Sequence, residues 1–228
     1  MKENMFDKQY LLFDLDGTLT NPKEGITKCV QYALQSCGIV ENDLDKLIPF
    51  IGPPLMDSFR EFYHMNEADA FRAVEKYRER FEHTGIFENE VYEGIPELLK
   101  ALKAAGKTVC LATSKPEVFA GRILEKYEIM QYFDEVTGSE LDGRRVNKWE
   151  VIEEALNRLG IAEDEEALSH TVMIGDRWHD INGANKCGLE SIGVNFGYAK
   201  AGELAEAGAT IVVEDMEALQ KVLLVISE

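Results

Sequence analysis

The chain has 228 residues, of which 45% are hydrophobic, and its formal net charge at pH 7 is −18. This length provides one substantial core, or a core and a smaller second unit. Such an acidic surface repels nucleic-acid backbones and anionic membranes. We therefore expect neither a nucleic-acid polymer nor a membrane as partner. The cysteines form no CxxC pair, and no signal segment or membrane-spanning apolar run is predicted. We expect a cytoplasmic protein with reduced thiols.

The first predicted strand ends in two carboxylates. Apolar residues 10–13 lead into Asp14 and Asp16, and a Gly17-Thr18 turn follows at once. Because successive strand residues face opposite sides, Asp14 and Asp16 face the same way. Two carboxylates held together repel each other unless a cation or a shared proton relieves them. The pattern predicts a nucleophile and an acid/base around Mg²⁺. The alternative is a buried strand that ends in an ordinary polar turn.

Residues 21–90 are predicted to form a helical insert. Apolar residues at helical spacing indicate three helices, the first ended by Gly38 and the third capped by Asn66. The Gly-Pro-Pro loop of residues 52–54 opens the second helix, with its last proline in the first turn. This loop is either a plain helix start or a loop that selects substrate. Arg60, one turn later, faces either a substrate anion or solvent.

Strands and helices alternate after residue 90. The predicted strands are residues 107–112, 133–137, 170–174, 191–194 and 210–213, and the predicted helices are residues 94–105, 116–127, 148–159, 180–187 and 216–225. This alternation favours an α/β fold with a parallel sheet covered on both faces. We therefore predict a Rossmann-like core of residues 1–20 and 91–228, interrupted by the helical insert at residues 21–90.

Polar residues follow two of these strands and open one of the helices. One strand leads into Thr113 and Ser114, and another into Asp176, with Asp180 four residues later. Lys148 opens a helix, where the macrodipole disfavours a cation, so its position suggests a nearby anion. Two of these residues have local alternatives. Ser114 begins an S-x-x-E capping box, and Asp180 fits a helix N-terminal carboxylate.

Together these segments resemble the four ordered motifs of the haloacid dehalogenase superfamily of phosphotransferases. The motifs are Asp14-Leu15-Asp16-Gly17-Thr18, Thr113-Ser114-Lys115-Pro116, Lys148, and Gly175-Asp176 with Asp180. The resemblance covers nearly the whole chain. It is strongest to the phosphoglycolate-phosphatase-like group and extends to members labelled 5′-nucleotidase. It implies that the insert is a helical cap of the first (C1) type. Asp16 argues against dehalogenation, because the dehalogenase branch lacks this carboxylate.

The resemblance also implies a role for each acidic motif residue and for the lysine. Asp14 is then the nucleophile that forms an aspartyl-phosphate. Asp16 is the general acid/base, and its backbone carbonyl binds Mg²⁺. Lys148 neutralises Asp14 and the phosphoryl oxygens. Asp14 and Asp176 are metal ligands, and Asp180 holds the metal through a water molecule.

The remaining motif residues are implied to bind the phosphoryl group. The Gly17 backbone N–H donates to it, and the Thr113 and Ser114 hydroxyls contact it, together with Lys148. Three neighbours of the motifs are expected to have no such role: Arg144 and Arg145 as solvated loop charges and His179 as an exposed residue at a helix start.

The function expected from the resemblance is Mg²⁺-dependent hydrolysis of a small phosphomonoester. The substrate would be phosphoglycolate-like or a nucleoside 5′-monophosphate, and the partner a small phosphorylated metabolite. A phosphomutase of the β-phosphoglucomutase-like kind, built on the same core, is the alternative. A non-catalytic phosphate-binding relative is a further one, against which the complete set of motifs argues. The oligomeric state and the particular substrate stay open.

Overall fold

The computed structural model describes Met5 and residues 7–224. The chain divides into two compact units. The core unit comprises Met1–Leu19 and Val91–Glu228, and the insert unit comprises Thr20–Glu90. These boundaries lie within one residue of the predicted ones. Of the predicted core, residues 1–4, 6 and 225–228 lie outside the described residues.

A six-stranded sheet forms the centre of the core unit. Its strands are β1 (Tyr10–Phe13), β4 (Thr108–Pro116), β5 (Glu135–Ser139), β6 (Thr171–Gly175), β7 (Glu190–Val194) and β8 (Ile211–Val213). Their order is β5-β4-β1-β6-β7-β8, and every pair of neighbours is parallel. The predicted parallel α/β fold is therefore confirmed. Two short strands, β2 (Thr20–Asn21) and β3 (Glu90–Val91), form a separate pair.

Helices connect the strands of the core unit. They are α4 (Ile95–Ala104), α5 (Glu117–Lys126), α6 (Lys148–Arg158), α7 (Glu165–Ser169), α8 (Trp178–Lys186), α9 (Glu203–Glu206) and α10 (Met216–Leu223). The short helices α7 and α9 were not predicted. The last predicted helix reaches residue 225, which lies outside the described residues. Side chains of β1, β4 and β6 share one hydrophobic cluster with α6, in which Leu12, Cys110 and Met173 occur together with Ile152.

The S-x-x-E capping box predicted at Ser114 is wrong. Strand β4 continues to Pro116, which pairs with Ser139 of β5, and α5 begins only at Glu117, without a side-chain cap. The residue before a proline is sterically excluded from the helical region, so Lys115 keeps this segment extended. The Glu117 carboxylate instead accepts a hydrogen bond from the Gly138 N–H at 3.2 Å.

The insert unit is helical, with α1 (Lys23–Ser36), α2 (Leu55–Tyr63), α3 (Glu67–Phe81) and two 3₁₀ segments, Leu44–Phe50 and Gly85–Phe87. The Asn66 side chain accepts a hydrogen bond from the Asp69 N–H at 2.9 Å, which confirms the predicted cap. Pro54 precedes α2 instead of lying in its first turn, and Arg60 is exposed. Across the described residues of both units, no helix combines the length and apolar character needed to cross a membrane.

Candidate active site

The carboxyl ends of β1 and β6 bring three aspartates together. In the parallel register Phe13 lies opposite Ile174, and the Asp14 N–H donates to the Ile174 carbonyl at 2.9 Å. Asp14 and Asp176 therefore leave neighbouring strands side by side. Asp180 joins them from the first turn of α8, and one carboxylate oxygen of each residue lies within 4.8 Å of the others. All three side chains are buried.

Lys148 supplies the positive charge at the centre of this cluster. Its Nζ lies 2.7 Å from Asp14 Oδ1 and 2.7 Å from Asp180 Oδ1, and it donates to the Ala112 carbonyl at 3.0 Å. Burial by itself would lower the pKa of Lys148, but the charges of Asp14 and Asp180 raise it above its ordinary value. The lysine at the start of α6 thus faces fixed carboxylates, which explains its placement against the helix dipole.

The cluster carries excess negative charge. Three carboxylates face one ammonium group, which leaves two negative charges when all are ionised. Burial, and then the neighbouring carboxylates, raises the pKa of Asp176 well above its ordinary value. Burial likewise raises the pKa of Asp180 to about 6, although Lys148 opposes the shift. Holding this negative charge in a buried site therefore costs free energy, and a bound cation would reduce the repulsion between the carboxylates.

The two carboxylate oxygens of Asp176 differ in their hydrogen bonding. Its Oδ2 accepts a hydrogen bond from the Tyr198 N–H at 2.7 Å. Its Oδ1 is buried and has no hydrogen-bond partner within the described part of the chain. A buried carboxylate oxygen without a donor is costly unless a ligand meets it. The carboxylates of three aspartates, one of which has this unpaired oxygen, fit a magnesium-type cation.

Glycines make room for the acidic cluster. A Cβ atom added at Gly17 would overlap the Asp176 carboxylate, and one at Gly197 would overlap the same side chain. A Cβ at Gly175 would overlap Asp180. Gly17 also has φ +87°, a conformation that favours glycine. The glycine of the first motif is therefore required for the approach of β6 as well as for the turn.

Asp16 is paired with a lysine that the sequence analysis did not single out. Lys115 Nζ lies 2.7 Å from Asp16 Oδ2, and these side chains are only 6% and 11% exposed. Burial raises the pKa of Asp16, while Lys115 opposes the shift. A signal was available, because Lys115 follows Thr113 by the same two-residue spacing that separates Asp16 from Asp14.

Thr113 and Ser114 lie where β4 passes the end of β1. Since Phe13 pairs with Leu111, Thr113 is level with the residues that follow Phe13. Thr113 is 2% exposed, and its hydroxyl accepts a hydrogen bond from the Lys115 N–H at 3.3 Å. Ser114 is half-buried, and its carbonyl accepts from the Ser139 hydroxyl at 2.7 Å. The predicted phosphate ligands therefore line the same edge of the sheet as Asp14.

Two residues expected on the surface are partly buried, and both predictions are wrong. His179 is half-buried against Trp178, with ring centroids 3.5 Å apart. Burial, together with Arg177 and Lys148, lowers the pKa of His179 to about 4. Arg145 is only 20% exposed, because its guanidinium pairs with Glu140 at 2.7 Å. Trp178 and Glu140 are near in sequence, but Arg145 also pairs with Glu154 of α6 at 3.1 Å, a contact that local sequence could not indicate.

The parallel sheet with a buried acidic cluster at its strand ends defines the class of fold and site, and comparisons give the family. A model of the haloacid dehalogenase-like hydrolases matches residues 11–194. A 5′-nucleotidase of Pseudomonas aeruginosa is 48% identical over 213 residues, which are 93% of this chain and 94% of that protein. Tyrosine-protein kinase PtkA of Mycobacterium tuberculosis is 34% identical over 204 residues, 90% of this chain and 68% of that protein.

Solved structures agree with these relatives. The crystal structure of a predicted phosphatase from Clostridium acetobutylicum aligns with a TM-score of 0.89 and 46% identity, covering 94% of this chain and 97% of that one. Two phosphoglycolate phosphatases are 29% and 28% identical to the chain. The chain belongs to the haloacid dehalogenase-like hydrolase family, and it is a phosphoric monoester hydrolase. The predicted family, fold and enzyme class are confirmed.

Proposed function

We propose that the protein hydrolyses small phosphomonoesters in a Mg²⁺-dependent reaction through an aspartyl-phosphate on Asp14. The observation that supports this most is the buried cluster in which Asp14 lies 2.7 Å from Lys148 and shares a 4.8 Å group with Asp176 and Asp180. A carboxylate needs neighbouring positive charge before it can attack a phosphate dianion. The cluster contains one ammonium group, that of Lys148. Its remaining negative charge would be balanced by a divalent cation.

The proposed metal ligands are the carboxylates of Asp14 and Asp176 and the backbone carbonyl of Asp16, with Asp180 in the outer shell. Oxygen donors of this kind suit Mg²⁺. When bound, the cation neutralises charge on the nucleophile and on the phosphoryl group.

The protein residues then divide the reaction into two steps. Asp14 attacks phosphorus, the bond from phosphorus to the leaving oxygen breaks, and the Asp16 carboxyl gives its proton to that oxygen. In the second step Asp16 takes a proton from water while the water oxygen attacks phosphorus. The bond to Asp14 breaks, inorganic phosphate is released and Asp16 is again protonated. Lys148, the Gly17 N–H and the Thr113 and Ser114 hydroxyls hold the phosphoryl oxygens.

We assign substrate choice to the insert unit as a C1-type cap, and in particular to the loop at residues 52–54. The substrates proposed are nucleoside 5′-monophosphates or phosphoglycolate-sized esters. The names of the relatives support this class. The net charge of −18 supports small ligands, because long polyanions would be repelled.

A phosphate-release screen tests the proposal. The purified protein is assayed with nucleoside 5′-monophosphates, phosphoglycolate and a phosphotyrosine peptide, in excess chelator and again with Mg²⁺ restored. We expect a small ester to be hydrolysed fastest, activity to be lost in chelator, and Mg²⁺ to restore it. Full activity in chelator would contradict the metal site, and a leading phosphopeptide would contradict the substrate class. Slow net hydrolysis that requires a sugar bisphosphate would instead indicate a phosphomutase.

A further inference from the structure

The pair of Lys115 and Asp16 is a second buried ion pair beside the one at Lys148. Lys115 Nζ lies 2.7 Å from one oxygen of Asp16, Oδ2. The other oxygen, Asp16 Oδ1, is buried and has no hydrogen-bond partner within the described part of the chain. One face of this carboxylate is therefore held by the protein, and the other is left for a ligand.

We propose that Lys115 is a positioning residue that holds Asp16 Oδ2, so that Oδ1 alone exchanges a proton with the leaving oxygen of the substrate. The inference rests on the proposed function, in which Asp16 is the acid/base. Lys115 itself contacts no reacting atom in this scheme. Its effect is confined to the orientation of Asp16.

The backbone explains why Lys115 can hold this position. Pro116 keeps residue 115 extended, and the pairing of Pro116 with Ser139 of β5 fixes the end of β4. A side chain that leaves such a segment has little freedom to swing away. The pair is also nearly dry, and a charge-assisted hydrogen bond between buried groups is strong and directional. Without Lys115, the Asp16 carboxylate would be free to rotate away from the productive geometry.

The proposal predicts a loss that depends on the leaving group. When phosphorus is transferred to Asp14, an alkoxide leaving group needs the proton of Asp16 as its bond to phosphorus breaks. The p-nitrophenolate and acetate leaving groups depart as stable anions and need no proton. A misplaced Asp16 should therefore slow phosphoryl transfer from a nucleoside 5′-monophosphate to Asp14. The same step should keep its rate with p-nitrophenyl phosphate and acetyl phosphate.

The experiment compares kcat/KM for these three substrates in wild type, Lys115→Met and Lys115→Arg, at saturating Mg²⁺. The quantity kcat/KM reports steps up to the first phosphoryl transfer. We expect Lys115→Met to lose roughly tenfold to a hundredfold more on the nucleotide than on the activated substrates. Lys115→Arg should recover part of that difference. Asp16→Asn should show the same leaving-group dependence, and adding Lys115→Met to it should cause no further selective loss.

Lys103→Met is the matched control. Lys103 also pairs with an aspartate, Asp134, but at the amino-terminal end of β5, the opposite edge of the sheet. Its loss should leave the ratio between substrates unchanged. An equal loss on all three substrates in Lys115→Met, or no loss, would overturn the inference. If Lys115→Met does not fold, Lys115→Gln serves in its place. An inactive wild type would defeat the proposed function, whereas an active wild type with an unaltered ratio in the variant defeats only the role of Lys115.

Discussion

The acidic cluster of the core unit and the surface of a helix in the insert unit hold charged side chains in different environments. In the core unit Asp14, Lys148 and Asp180 form ion pairs with side chains at most 8% exposed. In the insert unit the pair of Lys76 and Glu79 has side chains 45% and 53% exposed. An exposed pair contributes little to stability, whereas burying charge costs much more unless partners compensate. Charge is thus buried in the acidic cluster at a cost, which indicates chemistry there, while the pair of Lys76 and Glu79 indicates only a solvated surface.

The largest expected effect comes from the nucleophile. Asp14→Asn keeps the side-chain shape but removes the attacking charge, so kcat should fall roughly 10³-fold or more. Glu79→Gln in the insert unit, which breaks an exposed pair, should leave kcat close to wild type. Phosphate release by both purified variants, with circular dichroism to establish folding, makes the test. If Asp14→Asn and wild type had comparable activity, the result would contradict the covalent mechanism and the contrast between the two units.

A second comparison uses one glycine from each unit. Gly17 and Gly38 both have positive φ, +87° and +77°, but only Gly17 has atoms in the space that a Cβ would fill. Gly38→Ala should cost about 1 kcal/mol of unfolding free energy from backbone strain alone. Gly17→Ala should cost about 2 to 4 kcal/mol, because the Asp176 carboxylate must also move. Urea unfolding measures both. Equal costs would show that Gly17 serves the turn only.

The smallest expected effect concerns pH and His179. Its folded-state pKa of about 4 lies below the ordinary 6.5, so between these values the unfolded chain binds a proton that the folded chain does not. This histidine therefore makes the folded state less stable as the pH falls from 6.5 towards 4. His179→Gln should reduce the loss of unfolding free energy between pH 7 and pH 5.

The matched control for that test is His83→Gln, because His83 is an exposed histidine of the insert unit. Urea unfolding of both variants at the two pH values, in excess chelator, gives the comparison. The His83 variant should keep the wild-type pH dependence. If the His179 variant keeps it too, the buried environment of His179 does not persist in solution.

Local sequence determined much of this fold, because the relevant interactions act over a few residues. The apolar run of β1, the alternation of strands and helices, and the cap at Asn66 were all predicted from neighbours in sequence. The paired spacing of Asp14 and Asp16 likewise indicated the site, although β1 ends at Phe13 and both residues follow the strand. Where a local rule failed, as with the capping box at Ser114, a proline and a neighbouring strand imposed a different backbone.

Tertiary structure alone decided which charges meet. Lys148 reaches Asp14 across more than a hundred residues of sequence, and Lys115 reaches Asp16 from a different strand. Neither pairing follows from local propensity. The residues next to a lysine in sequence do not show whether its ammonium group meets water or a buried carboxylate. The parallel order β4-β1-β6 brings these segments to one edge of the sheet. Burial there removes water, so each charge depends on the particular partner that the fold provides.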